Sequence, residues 1–214
     1  ETLAITFRDT ENADLNGGTL AGSAEAASFE VTGAALTANE IIVTNAASAI
    51  DAGTGNDAVT VNDANSALTG TNNELDTANY QFTSIESADL TSKALTGTAG
   101  VDTFDVTGAN ALTSAGINFS NVEVVNADDG VDQVNTDGAD ASLFAELGSA
   151  VDYALETLGI TFRETENADL NGGTLTGSSE ADSFEVTGTT LTANAISVTN
   201  AASAIDAGTG DDAV

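Results

Sequence analysis

The chain has 214 residues with 34 acids against three basic residues, Arg8, Lys93 and Arg163, for a formal charge of −31; it contains no Cys, His, Met, Pro or Trp. Nucleic-acid binding is excluded by this balance, because phosphate contacts need clustered Lys and Arg, and docking on anionic lipid is equally disfavoured. The usual neutral-pH nucleophiles and proton shuttles are missing, so catalysis is unsupported, and no apolar run approaches the roughly 18 residues of a membrane-spanning segment.

At 41% hydrophobic residues the composition is that of a folded chain rather than an acidic disordered one. Taken in chain order, short segments with alternating apolar residues recur: Ser28–Thr32, Ile41–Thr44, Ala58–Val61 and 121–125. Each is bounded by Gly, Asn, Asp or Ser, the pattern of short strands joined by turns, and Asn16-Gly17-Gly18 and Asn171-Gly172-Gly173 are turn signals. One stretch differs. Between 139 and 155, Leu143, Phe144, Leu147, Val151 and Leu155 fall at helical spacing and predict a short helix.

Internal repetition organises the whole sequence. Residues 1–59 align without a gap on 156–214, with 49 of 59 positions identical. A first unit thus covers 1–155 and a second begins at 156. Opening at Glu1 and stopping inside the second copy, the chain is expected to be a window on a longer array. The unit divides again into subrepeats of about 14–88 and 89–168: Ala13-Asp14-Leu15 returns as Ala88-Asp89-Leu90 and Ala168-Asp169-Leu170. A finer echo near 37 residues is marked by Phe-x-x-x-Glu starting at Phe7, Phe82, Phe119 and Phe162. Nested repeats with small interior residues and few aromatics predict an all-β fold, a β-solenoid with coils of about 18–25 residues; tandem β-sandwich domains of about 75–80 residues are the alternative.

Chemistry, if present, lies in the turns. The segment 52–60 (Ala-Gly-Thr-Gly-Asn-Asp-Ala-Val-Thr) and its copy 207–214 resemble the glycine- and aspartate-rich nonapeptide of RTX proteins, with 97–104 and 128–134 as weaker relatives. The phrases 81–90 and 118–126 also look like repeats of bacterial surface-layer proteins and large adhesins exported by type I secretion. The resemblance implies a secreted, cell-surface protein that uses Ca²⁺, with the aspartate of each turn as a hard oxygen ligand. The residues matching the pattern are Asp57, Asp132 and Asp212, supported by Asp51, Asn56, Asp128, Asp129, Asp206 and Asp211. Asp102 and Asp182 fill a related slot that holds Ala27 in the first copy. In the RTX family these turns come in tandem; here they stand singly, 30 to 50 residues apart, so isolated sites rather than a stacked ladder are implied. An aspartate after Gly-x is also a turn former in its own right.

The pairs Glu11 with Asp14, Glu86 with Asp89 and Glu166 with Asp169 recur on schedule. Paired carboxylates can act as glycosidase acid and base, but three equivalent pairs read as a ladder of surface charge. Asn118-Phe119-Ser120 matches a glycosylation acceptor. The functional expectation is a non-enzymatic extracellular scaffold that self-associates into a layer, fibre or filament; an adhesin stalk is the alternative. A β-helix enzyme acting on polysaccharide is disfavoured by the lack of basic residues, and an ice-binding solenoid by Thr pairs (Thr96 with Thr98, Thr190 with Thr192) that do not recur at one coil period.

Overall fold

The computed structural model describes residues 9–145 and 153–214; about half of the chain is β-strand, none of the described residues is helical, and the fold is a β-solenoid of about 6 turns. The strands in chain order are β1 (Asn12–Asp14), β2 (Leu20–Ala21), β3 (Ser28–Thr32), β4 (Ala35–Ala38), β5 (Ile41–Thr44), β6 (Ala49–Asp51), β7 (Ala58–Val61) and β8 (Ser66–Leu68). There follow β9 (Glu74–Asp76), β10 (Gln81–Thr83), β11 (Ser87–Thr96), β12 (Thr103–Gly108), β13 (Ala111–Ser114), β14 (Ile117–Asn126), β15 (Gln133–Asn135) and β16 (Ala141–Ala145). The last are β17 (Tyr153–Thr157), β18 (Ile160–Arg163), β19 (Asn167–Asp169), β20 (Leu175–Thr176), β21 (Phe184–Thr187), β22 (Thr190–Ala193), β23 (Ile196–Thr199) and β24 (Ile205–Asp206).

The pairings resolve into two faces. On face A the neighbours run β1, β5, β4, β3, β7, β11, β14, β13, β12, β15, β19, β23, β22, β21, and Ala213 bridges Ser183 beyond. On face B they run β2, β6, β10, β9, β8, β11, β14, β18, β17, β16, β20, β24. At ~4.8 Å per strand, face A extends roughly 65–70 Å along the solenoid axis. The long strands β11 and β14 serve both faces, bending at the positive-φ residues Thr91 and Ser92 in one and Asn121 in the other.

This is not a plain coil. After β2 the chain leaps ahead on face A to β3, then steps back through β4 and β5 to fill the gap beside β1. Such three-strand meanders occupy face A at β3–β5, β12–β14 and β21–β23, and face B at β8–β10 and β16–β18. Successive meanders swap faces, which explains the sequence periods. One meander with its two following strands accounts for the 37-residue echo, and two restore the face and give the 75–80-residue subrepeat. The coil itself is longer than the expected 18–25 residues: parallel neighbours such as Phe29 and Val59, or Phe104 and Val134, lie 30 apart. The step widens to 37 between Val124 and Thr161, where the five extra residues of the second subrepeat enter.

The predicted helix at 139–155 is corrected. Ala141–Ala145 and Tyr153–Thr157 form antiparallel strands in a face-B meander, Leu143 opposite Leu155; residues 146–152 lie outside the described set. Leu143 and Leu155 are both buried by alternation on a strand, and two strands crossing a turn produced an apparent helical spacing.

Between the faces runs a narrow apolar core. Alternate residues point inward, as in β3, where Phe29 and Val31 are buried while Ser28, Glu30 and Thr32 face water. Rings meet across the core, Phe29 with Phe82 at 5.5 Å and Phe104 with Phe162 at 6.0 Å. At Phe82, Phe119 and Phe162 the phrase Phe-x-x-x-Glu opens on the third strand of a meander, β10, β14 and β18; Phe7 lies outside the described residues. Among the described residues nine asparagines hold positive φ, for example Asn39, Asn73, Asn110 and Asn194 at meander turns, a conformation asparagine tolerates better than branched residues.

Candidate functional site

Of the predicted metal residues, Asp57, Asp102, Asp132, Asp182 and Asp212 fall in a single column, whereas Asp51, Asn56, Asp128, Asp129, Asp206 and Asp211 lie outside it. Each of those in the column sits immediately before a face-A strand, so a 30-residue coil stacks one over the next. Asp57 and Asp132 are fully buried, Asp102 and Asp182 nearly so, and Asp212 is half-exposed. Their contacts run along the axis. The Asp57 carboxylate accepts the Ala27 N–H at 2.6 Å, and the Asp57 N–H donates to Glu86 at 2.8 Å. One repeat later the Asp132 carboxylate accepts the Asp102 N–H at 2.8 Å and the Asp132 N–H donates to Glu166 at 2.8 Å. Asp212 accepts the Asp182 N–H at 2.9 Å. The column is therefore built of triads, Ala27–Asp57–Glu86 and Asp102–Asp132–Glu166, in which each acid fastens the amide of the coil before it.

Asp102 and Asp182 turn their own carboxylates back on the preceding corner. Asp102 accepts from the Thr98 N–H at 2.6 Å and its hydroxyl at 2.9 Å, and Asp182 from the Ser178 N–H at 2.6 Å and from the Asn194 amide. That explains why Ala27 is tolerated in the first copy: the slot's contribution to the column is its backbone N–H, and the carboxylate only braces a local turn. Asp51 and Asp206 cap Gly53 and Gly208 at 3.0 and 3.1 Å, while Asn56, Asp128, Asp129 and Asp211 are exposed.

The glycines of the motif serve stacking. A Cβ on Gly53 would run into the Ser23 carbonyl, one on Gly208 into that of Ser178, and one on Gly130 into that of Gly100. Gly53 and Gly208 also hold φ of +97° and +86°. Consecutive coils thus approach at these corners more closely than any side chain allows.

The recurring carboxylate pairs divide their labour. Glu86 and Glu166 each close a triad, and the aspartate of each pair takes an asparagine amide from the next coil: Asn45 on Asp14 at 2.9 Å, Asn121 on Asp89 at 2.9 Å, Asn200 on Asp169 at 3.0 Å. The sequence reading placed Asn121 in a strand and did not single out Asn45 or Asn200; their fixed offset of 31 or 32 from the aspartate was the available signal. A second asparagine column links Asn62 to Glu30 and Asn135 to Asp105 at 2.6 Å each. A groove of about 560 Å³ outside face A, lined by Asp105, Asn135, Asp137, Asp169 and Asn171, holds three carboxylates. Asp105 and Asp169 are tied by these asparagines, and Asn171 approaches Asp137 at 3.5 Å.

Electrostatics single out Asp132. Burial pushes its carboxyl up to about 6, the Asp102 N–H pulls it partly back, and Glu166, Asp102 and Asp128 add repulsion. Asp14 lies below the ordinary carboxylate range because of the Asn45 amide and the Asn16 N–H, and Asp140 because of the Thr174 N–H and hydroxyl.

As a calcium centre the column has a mixed donor set. The second oxygens of Asp57 and Asp132 are buried without a hydrogen-bond partner, yet the first oxygen of each is committed to an amide. Among the described residues no three His, Cys, Asp or Glu side chains converge as a metal-holding group. A stacked calcium ladder of the RTX kind does not fit this arrangement. Among the described residues, no helix is long and apolar enough to cross a membrane. Comparison with protein-family models, with curated proteins and with solved structures found no match for the chain.

Proposed function

We propose that the chain is a structural, non-enzymatic extracellular scaffold whose stacked coils build a cell-surface layer, fibre or filament. One observation carries this reading. The seam acids Asp57, Asp132 and Asp212 recur along the axis, and in each copy a carboxylate oxygen accepts a backbone N–H of the neighbouring coil, as do Glu86 and Glu166. A catalytic constellation is a single place, whereas this column is a seam. The resemblance of 52–60 and 207–214 to RTX turns supports export to the cell surface. Ca²⁺ enters as the counterion that offsets the charge of −31, at the exposed acids Asp51, Asp128, Asp129, Asp206 and Asp211 rather than in the seam.

Electron microscopy of the purified chain and its native assembly tests the scaffold: fibres or sheets support it, and isolated thin rods point to an adhesin stalk instead. Release of unsaturated sugars from acidic polysaccharide would overturn the structural reading. Melting in EDTA against millimolar Ca²⁺ at matched ionic strength tests the counterion, and identical curves would remove it.

A further inference from the structure

Two asparagine–glycine pairs, Asn16-Gly17 and Asn171-Gly172, stand 155 residues apart at the same corner of the repeat. Both residues of each pair hold positive φ, 47° and 85° in the first and 45° and 96° in the second, the backbone of a tight turn that suits asparagine and glycine. All four residues are exposed, and no atom lies within 4 Å of the Cβ position of either glycine, so water reaches the turn.

Asparagine is a thermolabile residue, and a following glycine makes it more so, because a nitrogen without a neighbouring side chain is an unhindered nucleophile. That nitrogen attacks the asparagine Cγ, and the N–Cγ bond forms as the Cγ–Nδ2 bond breaks. The proton it gives up passes through solvent to the departing ammonia, and water then opens the succinimide ring to aspartate or isoaspartate. Here the nitrogen is not free. The Gly172 N–H donates to the Asn200 carbonyl at 2.6 Å, and the Gly17 N–H to that of Asn45 at 2.5 Å. Each acceptor lies one coil on, just past the strand paired with the one that leads into the turn: β23 beside β19, and β5 beside β1. The acceptor is itself held. The Asn200 side-chain amide donates to Asp169 at 3.0 Å, and Asp169 accepts the Asn171 N–H at 2.9 Å; Asn45, Asp14 and Asn16 repeat this at 2.9 and 3.0 Å.

We propose that Asn171 and Asn16 are deamidation sites gated by coil stacking, closed while the next coil holds the glycine N–H and open to reaction only when the two coils part at that corner. The modification acts in one direction. The Asn171 amide lies 3.5 Å from Asp137, in the groove that Asp105 and Asp169 also line. Conversion to a carboxylate replaces a neutral donor there with a fourth negative charge, so a corner that has stood open long enough to react closes less readily afterwards. The turn thereby keeps a chemical record of the time its coils have spent apart. This holds whatever the solenoid builds, and does not depend on the scaffold reading.

Peptide mass spectrometry after incubation at pH 8.5 and 37 °C measures deamidation at Asn171, and hydrogen exchange at the same pH measures protection of the Gly172 N–H. Against the chain unfolded in urea, the folded chain is expected to deamidate at least tenfold more slowly. That slowing should equal the exchange protection of the Gly172 N–H within about threefold, because both reactions wait for the same bond to open. Asp169→Ala removes the carboxylate that carries Asn200 and caps Asn171, yet leaves the asparagine–glycine pair intact. Checked by circular dichroism to be folded, it is expected to raise both rates at least threefold. Asp89→Ala, the same loss in a coil that has no such pair, should leave both rates at Asn171 unchanged. Deamidation of the folded chain within threefold of the unfolded rate overturns the gate, and so does slow deamidation beside a Gly172 N–H that exchanges freely. Should Asp169→Ala fail to fold, the comparison of deamidation with exchange in the parent chain decides alone.

Discussion

The carboxylate of Asp132 holds the backbone N–H of Asp102 at 2.8 Å, thirty residues away in sequence and one strand away in space. The contact joins two acids, and it works because the donor is an amide rather than a side chain. Replacing Asp132 with Ala leaves the Asp102 N–H unpaired in a buried position and is expected to cost about 1–3 kcal/mol in denaturant unfolding. Asp132→Asn keeps the acceptor oxygen and removes a charge repelled by Glu166, Asp102 and Asp128, so it should match or exceed the parent at neutral pH. An Asn variant less stable than the Ala variant would contradict this account of the seam.

Acidity should stabilise the fold before it destroys it. The Asp132 carboxyl titrates near 6 in the fold against about 3.9 in an unfolded chain. The folded state therefore binds a proton more tightly, and stability from this group is full below about 4 and lost as pH rises through 6. Asp14 and Asp140 act in the opposite sense: their lowered values help above the ordinary carboxylate range and fail as pH falls below it. A melting temperature that rises by a few degrees from pH 7.5 to pH 5 and then declines is the expected profile. The rise should vanish in Asp132→Asn.

Gly53 combines a positive φ with contact against the Ser23 carbonyl. Gly53→Ala is expected to lower stability by about 1–3 kcal/mol, read as a shift in urea midpoint at constant slope. Gly17 also has a positive φ but open space around its Cβ position. Its Ala variant should cost less, and equal losses would mean that backbone strain alone, not coil approach, sets the penalty.

Asn121 pairs both oxygens of Asp89 while holding a φ of 54° at the bend of β14. Asn121→Ala removes the amide and strains the bend, an expected loss of about 1–2 kcal/mol, whereas Asn121→Gly should recover part of it by relieving the backbone. Thermal melts of the two variants side by side separate the cross-coil bond from the bend.

Much of this architecture was legible in the residues. Alternation in Ser28–Thr32 and the recurrence of Ala-Asp-Leu specified strands and their schedule, and Asp57, Asp132 and Asp212 of the glycine-rich turns stand in one column. What sequence could not supply was the threading. A meander that doubles back places Val43 of β5 beside Ala13 of β1 and keeps Phe29 of β3 two strands further on, an order no linear period encodes. The coil length was misjudged for the same reason, because the visible 37-residue echo counts meanders while stacking counts 30-residue coils. The predicted helix failed where Leu143 and Leu155 came from two strands facing one another. The role of the acids was half visible: the turn pattern marked Asp57, Asp132 and Asp212, and the stacked backbone adds the amides whose N–H groups their carboxylates accept.

The doubling back has a mechanical meaning. On face A the outermost full strand at the carboxyl end, β21, comes earlier in the chain than β22 and β23, which lie inside it. Within such a meander the later strand is not at an open edge: β23 is held between β19 and β22, so it cannot come away without parting two neighbours. Tension along a rod threaded this way is expected to be met in blocks of a meander, so that force–extension traces should show steps of meander size rather than of single strands.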